Sequence, residues 1–298
     1  MTKRKVKTGR SDLIFYILTG ILITGFFLLV LYPIIFVIAA SFSSGDAVSA
    51  GKVFLWPVDF CLDGYRTVFN NSSVITGFRN SVFYMAVGTA INVVLTMCAA
   101  YALTRTDLPG INKIMFLFTF TMFFSGGMIP NYILVRNLHI MNTMWALVLP
   151  GAINAYNLII ARTFINSSIP KELYEAAEMD GCSDITFFIK IVVPLSGAII
   201  AVLVLFYGVA HWNTYFNAML YLNDLDKYTL PIILKQILIS SQIDPSTVSD
   251  PELQMQIARM ANVIKYALIV VTMVPIALIY PFIQKYFVKG VMIGSIKG

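Results

Sequence analysis

Two histidines, three cysteines and 15 acidic residues are the side chains that could carry acid–base, nucleophilic or metal chemistry in this chain of 298 residues. None stands in a pattern that does. No phosphate-cradling GxxxxGK followed by Ser or Thr is present, so the chain does not itself bind ATP in that way. A serine nucleophile elbow, an HExxH zinc helix and a CxxC pair are also missing. Cys61, Cys98 and Cys182 share no metal-like spacing, and neither an internal disulfide nor a zinc site is expected. His139 and His211 fall outside the apolar stretches, as does every acid. A carrier driven by protons or sodium needs a carboxylate within the membrane to hold the coupling ion. Energy must therefore enter elsewhere, or movement through the chain is passive.

The elements that would position such residues are membrane spans. The chain is 58% hydrophobic and 12% charged, with a mean hydropathy of +0.79, and a soluble domain needs far more charge. The net charge of +6 comes from few cations that flank apolar stretches, the membrane pattern rather than a nucleic-acid surface. A bilayer core asks for about 20 apolar residues per helix. Six stretches meet that, at 13–40, 81–103, 114–133, 144–165, 191–210 and 263–287. The expected architecture is all-α and polytopic, with a basic terminus over 1–12 and one transmembrane domain over 13–298. The basic start (Lys3, Arg4, Lys5, Lys7, Arg10) resembles a secretory signal, but the apolar run behind it is too long for one and reads as a retained first span. Gly126, Gly127 and Pro130 interrupt the outer end of the third span and mark a bent or unwound turn.

Orientation follows from the short flanks. The basic cluster joins Arg105, Lys113, Arg162, Lys171, Lys190, Lys285, Lys289 and Lys297 on the side of both termini, which places that side in the cytoplasm. Arg162, at the inner end of the fourth span, reads as a snorkelling anchor. Outside, the segment from Val53 to Phe69 reads as interfacial, and the loop at 211–262 mixes turn residues with apolar runs, as a folded cap or an extra half-helix would.

One substantial loop lies on the cytoplasmic side, over 167–194. Ser167 and Ser168 offer capping hydroxyls, Pro170 suits a first turn, and Glu172 and Glu175 favour the positive end of a helix. Gly181 permits the left-handed residue that closes it, and Ser183 can cap a second helix running to Pro194. Leu173, Ala176 and Ala177 share one face by spacing, small enough for close approach, with Glu175 and Glu178 at its edge.

Glu175, Ala176, Ala177, three residues, Gly181, nine residues, Ile191, one residue, Val193 and Pro194 resemble the EAA loop of binding-protein-dependent ABC importer permeases, with Val193 in place of the usual Leu. WNTYFNAMLYLND at 212–224, KYTLPIIL at 227–234, GFRNSVFY at 77–84 and QKYFVKGVMIGSIKG at 284–298 extend the likeness over nearly the whole chain. It is similar to the maltose-permease-like carbohydrate branch, on the side of the smaller, six-span partner. Within that branch it looks most like permeases for complex or acidic oligosaccharides. The resemblance implies the type I ABC importer permease fold and a non-catalytic subunit without a cofactor of its own, ATP and Mg belonging to a partner. It implies a homologous second permease, two ATPase subunits, an external solute-binding protein and alternating access. Glu175, Ala176, Ala177, Gly181, Ile191 and Pro194 would carry the coupling to the ATPase. The tail at 290–298 would reach between the ATPase subunits or lie as a cationic end near lipid headgroups.

Sugars stack on aromatic rings and hydrogen-bond to amides. Asn154, Tyr156 and Asn157 in the fourth span, with His211, Trp212, Asn213 and Tyr215 at the outer end of the fifth, are candidates for a substrate pathway, with packing or interfacial anchoring as the other role open to each. A non-sugar ABC permease and a passive or ion-coupled channel are the alternative functions, the second leaving the loop spacing unexplained.

Overall fold

The computed structural model describes residues 9–105, 107–241 and 251–294, and the side chains among them apart from those of 10, 240–258, 280 and 282 onward. The basic residues at 3–7, Lys297 and the last four residues of the tail lie outside the described residues, as do the side chains of Lys285 and Lys289.

Fifteen helices and no strand occur among the described residues: α1 Arg10–Ser41, α2 Gly45–Ser49, α3 Asp63–Asn70, α4 Ser72–Ala102, α5 Ile111–Phe123, α6 Met128–Asn137, α7 Trp145–Val148, α8 Ala155–Ser168, α9 Lys171–Met179, α10 Asp184–Phe187, α11 Val193–Leu195, α12 Gly197–Trp212, α13 Phe216–Tyr221, α14 Leu230–Ser241 and α15 Pro251–Gly294. Three helical segments are long and apolar enough to cross a bilayer unbroken, Ser11–Ser41, Ser72–Ala102 and Arg259–Ile279, with up to six spans in all if each of three bent pairs is one span.

Each bend has a local cause. α5 and α6 meet at 118°, where Gly127 takes φ +86° before α6 starts, a conformation that costs little only for glycine. Pro130 sits inside α6 rather than in the break. The expected straight helix over 144–165 is instead α7, a 3₁₀ turn over Leu149–Gly151 holding Pro150, and α8, at 55°. Asn154 restarts the chain by accepting from the Asn157 amide at 3.2 Å. The expected span over 191–210 begins six residues later, at Gly197, because α10–α11 meets α12 at 81° around Ser196. Pro194 cannot donate to a helix and crowds the carbonyl four residues back; the turn before it, Phe188–Val192, widens to π geometry. α4 and α15 are longer than the apolar stretches at 81–103 and 263–287, and the loop expected over 211–262 contains α13 and α14 and the start of α15.

The chain divides into two compact units. One comprises 1–70 and 237–271. Here α1 is apolar all round, with none of its most hydrophobic 18-residue window buried, so lipid is its natural surroundings. Phe36 meets Tyr266 edge-on at 5.8 Å, and Arg259 pairs with Asp46 at 2.6 Å. The segment around Trp56 leaves Phe54, Trp56 and Phe60 exposed.

The other unit, 71–236 and 272–298, has its core where α4, α8 and α12 pack together around Met97, Leu158, Ala161 and Leu203. A polar seam runs through it. Thr96 shares a hydrogen bond with Tyr207 at 2.7 Å, and the Tyr207 hydroxyl accepts from the Asn154 amide at 3.0 Å. Within an apolar core such pairs fix register, since each unpaired partner would be costly.

Candidate functional site

The loop between α8 and α12 is built from local signals. α8 runs on through Ser167 and Ser168, so neither caps α9 as expected; the Ser167 hydroxyl donates back to the Phe164 carbonyl at 3.1 Å. Pro170 stands at the N-cap of α9 without a side-chain bond, and Glu172 lies in the first turn. At the far end the Cys182 amide donates to the Ala177 carbonyl at 2.9 Å and Gly181 takes φ +74°, a left-handed closure. No atom lies within 4 Å of where a Gly181 side chain would begin, so glycine is needed there for its backbone and not for space. Ser183 caps α10 as expected, accepting from the Thr186 amide at 3.4 Å.

α9 turns a different face to the core than the spacing suggests. Tyr174 and Ala177 are its only partly covered residues, packed on the cluster that includes Phe187 and Val192. Leu173, Glu175, Ala176 and Met179 point outward, Met179 with 89% of its surface free. The two alanines, one residue and about 100° apart on a helix, thus separate into an inner and an outer one. The outward face carries Leu173, Ala176 and Met179 with Glu172, Glu175 and Glu178 around them. Ile191 is partly covered at the core and Pro194 is exposed.

Arg105, in the sequence no more than one cation among several, holds this loop. It lies three residues past α4, with 14% of its side chain exposed. Nε and Nη2 donate to the Asp107 carboxylate at 3.0 and 3.2 Å, Nη1 pairs with Asp184 at 3.0 Å, and the guanidinium carbon lies 3.8 Å from the centroid of the Tyr174 ring. Burial works against its charge, but the hydrogen bonds to Asp107 and the closeness of Tyr174 and Asp184 outweigh it and hold the guanidinium above its ordinary range. The bonds from Arg105 pull Asp107 below the usual carboxylate range. A pocket of about 350 Å³ opens beside it, bounded by Tyr101, Thr104, Tyr174, Glu175 and Phe187. The available signal was Arg105 ending an apolar run with Asp107 two residues on, and Tyr174 and Asp184 bracketing the glycine.

Arg162 is not a free anchor: its Nε donates to the Leu103 carbonyl at 2.8 Å, closing the end of α4.

The seven pathway candidates separate. Asn154 caps α8 through its side-chain oxygen and stays exposed, and Asn157 is buried. His211 is in the last turn of α12, 9% exposed, with Nε2 at 3.1 Å from the Asn92 amide nitrogen. Trp212 is 1% exposed and donates to the Thr272 carbonyl at 3.1 Å. Both are inside the bundle rather than beyond it, because α12 begins and ends later than the apolar stretch. Tyr156 and Asn213 are exposed, and Tyr215 is half-buried under the Lys235 ammonium at 4.4 Å. Among the described residues no three His, Cys, Asp or Glu side chains gather as a metal site.

No protein-family model matches the chain. The polygalacturonan/rhamnogalacturonan transport system permease protein YtcP of Bacillus subtilis is 45% identical over 273 residues, 92% of this chain and 94% of that protein. Protein LplC of the same organism is 38% identical over 297 residues, 100% of this chain and 98% of that one. A crystal structure of a bacterial ABC transporter involved in the import of the acidic polysaccharide alginate contains a chain that superposes with TM-score 0.84 at 33% identity, covering 95% of this chain and all of that one. With its apolar helices, outward-facing α9 and a likeness that runs end to end, the chain belongs to the permease subunits of ATP-binding-cassette sugar importers, multi-pass membrane proteins that leave ATP hydrolysis to a partner.

Proposed function

We propose that this permease forms half of a translocation pathway for acidic oligosaccharides, with six spans, both termini in the cytoplasm and α9 as its coupling helix. The second half is a homologous permease; two ATPase subunits meet the α9 face, and a solute-binding protein delivers cargo from outside. The observation that carries the coupling assignment is α9 itself: it is closed by a left-handed Gly181 and presents Glu175 and Ala176 outward, while Ala177 and Ile191 fasten the loop to the core. A helix so fastened moves as a body and passes displacement to the bundle. The acidic cargo is supported by the polygalacturonan and alginate named for two relatives. Of the pathway candidates, Asn154, Tyr156, Asn213 and Tyr215 keep surface available for a sugar, whereas Asn157, His211 and Trp212 act through packing.

The test is uptake of labelled polygalacturonan fragments into vesicles carrying the full complex, with neutral maltooligosaccharides as comparison. ATP-dependent uptake of the acidic fragments, lost in Glu175→Lys, is expected. Preference for the neutral sugar would overturn the cargo, and full uptake in Glu175→Lys would overturn the role of α9.

A further inference from the structure

Only Tyr174 and Ala177 of α9 are partly covered, and the chain joining α9 to α8 is the extended pair Ile169 and Pro170. A force arriving at α9 therefore needs a stiffer path than the connector. The side chain that provides one starts on α4. From just past the end of that helix, Arg105 reaches Tyr174 on α9 and Asp184 on the first turn of α10 at once, and the Tyr174 hydroxyl donates to the same Asp184 carboxylate at 3.1 Å. The triangle is closed. Asp107 grips the guanidinium fork from behind on two nitrogens, which leaves the third nitrogen and the flat face directed at the loop; a planar guanidinium held in this way has little freedom to rotate.

Both ends of the triangle are anchored in packed structure. Tyr174 meets Phe187 edge-on at 5.2 Å, and Tyr101 of α4 lies 5.2 Å from Phe188. Arg162 ties Leu103, two residues before Arg105, to α8, and α4 packs along α12 and α8. We propose that Arg105 is the positioning residue of the coupling step: it makes α9, α10 and the end of α4 one rigid body, so that movement of α9 becomes movement of α4. This rests on the reading of α9 as the coupling helix. Lysine would not substitute, because an ammonium is a point charge that cannot grip Asp107 with two nitrogens and face Tyr174 and Asp184 as well.

The experiment uses the complete complex of both permeases and ATPase subunits in nanodiscs. Spin labels at Met179, on the free face of α9, and at Cys98, exposed on α4, report their separation with and without ATP and vanadate. The wild-type separation is expected to stay narrow when nucleotide is trapped, since both sites belong to one body. Arg105→Ala, Arg105→Lys and the near-isosteric Asp184→Asn are expected to broaden it, and to cut stimulation of ATP hydrolysis by polygalacturonan fragments with the binding protein about fivefold or more, while ATPase subunits co-purify at wild-type stoichiometry. The Arg105 and Asp184 effects should be non-additive. A narrow separation in Arg105→Ala and Asp184→Asn overturns the proposal, as does loss of the ATPase subunits from both, which would make Arg105 a docking or folding residue. A wild-type chain that carries no ATPase subunits overturns the reading of α9 and this proposal with it; wild-type assembly without stimulation by the acidic fragments overturns only the cargo, since the separation is measured without it.

Discussion

His211 of α12 lies directly against Gly88 of α4: a methyl group added at Gly88 would come within 2.6 Å of His211 Nε2. The imidazole fills the space that glycine vacates, and its Nε2 meets Asn92 one turn further along α4 at 3.1 Å. Gly88→Ala should therefore push the two helices apart, at a cost of about 1–3 kcal/mol, read as a lower Tm of the purified protein in detergent. The double variant Gly88→Ala, His211→Ala should recover part of that loss by relieving the overlap, while leaving the Asn92 amide short of a partner. An unchanged Tm in Gly88→Ala would contradict the close contact.

Gly181 makes a different demand. With φ +74° and open space around it, Gly181→Ala and Gly181→Leu should be equally harmful, each by about 1 kcal/mol of backbone strain. Gly181→Asn should be milder because Asn tolerates the left-handed region. The measurement is binding-protein-stimulated ATP hydrolysis in the assembled complex; a graded loss with side-chain size would show that space, not backbone, governs the position.

The loop after α13 depends on a carboxylate. Asp224 accepts from Asn142 at 2.8 Å and pairs with Lys227 at 2.8 Å, and these two hold it below the usual carboxylate range, Lys227 first. A depressed pKa stabilises the folded state wherever the unfolded Asp would already be ionised, above about 3.9, and that contribution disappears as pH falls through the lower folded value. Hydrogen exchange at the amides of Asn223 and Asp224, which both donate to the Asn142 side-chain oxygen, should stay slow between pH 5 and 8 after correction for intrinsic rates and lose protection below about pH 4. Asp224→Asn should abolish that acid-dependent change.

Arg162 closes the α4 terminus through Leu103. Arg162→Met keeps much of the apolar stem but removes the donor, and should cost about 1–3 kcal/mol in thermal unfolding. Arg162→Lys should recover little because no ammonium hydrogen points as Nε–H does. Equal stability of Arg162→Met and wild type would return the residue to the role of a free anchor.

The membrane character and the α9 loop were legible because both are written locally: runs of apolar residues for the one, a proline, acids and a glycine at fixed offsets for the other. The broken spans were legible at Gly126–Gly127, where glycine announces a backbone that other residues avoid. Near Ser196 the signal was Pro194, which read as the end of the loop's second helix; the bend follows from it and from the π-wound turn before it. The displaced start of α12 carried His211 and Trp212 from an apparent outer edge into the bundle. Ala176 and Ala177 looked alike on a helical wheel, and only the packing of Tyr174 decided which one faces inward. Arg105 was visible as a charge and invisible as a hub, since its partners Tyr174 and Asp184 are 69 and 79 residues away.

α1 buries nothing from Leu13 to Val30. None of its described side chains there is buried, so what the helix must keep is an apolar composition and sufficient length. The membrane reads that segment as a composition. Along α4, by contrast, where Gly88, Asn92 and Thr96 each answer a particular residue of α12, spelling matters, and random drift through the two helices should erase function at very different speeds.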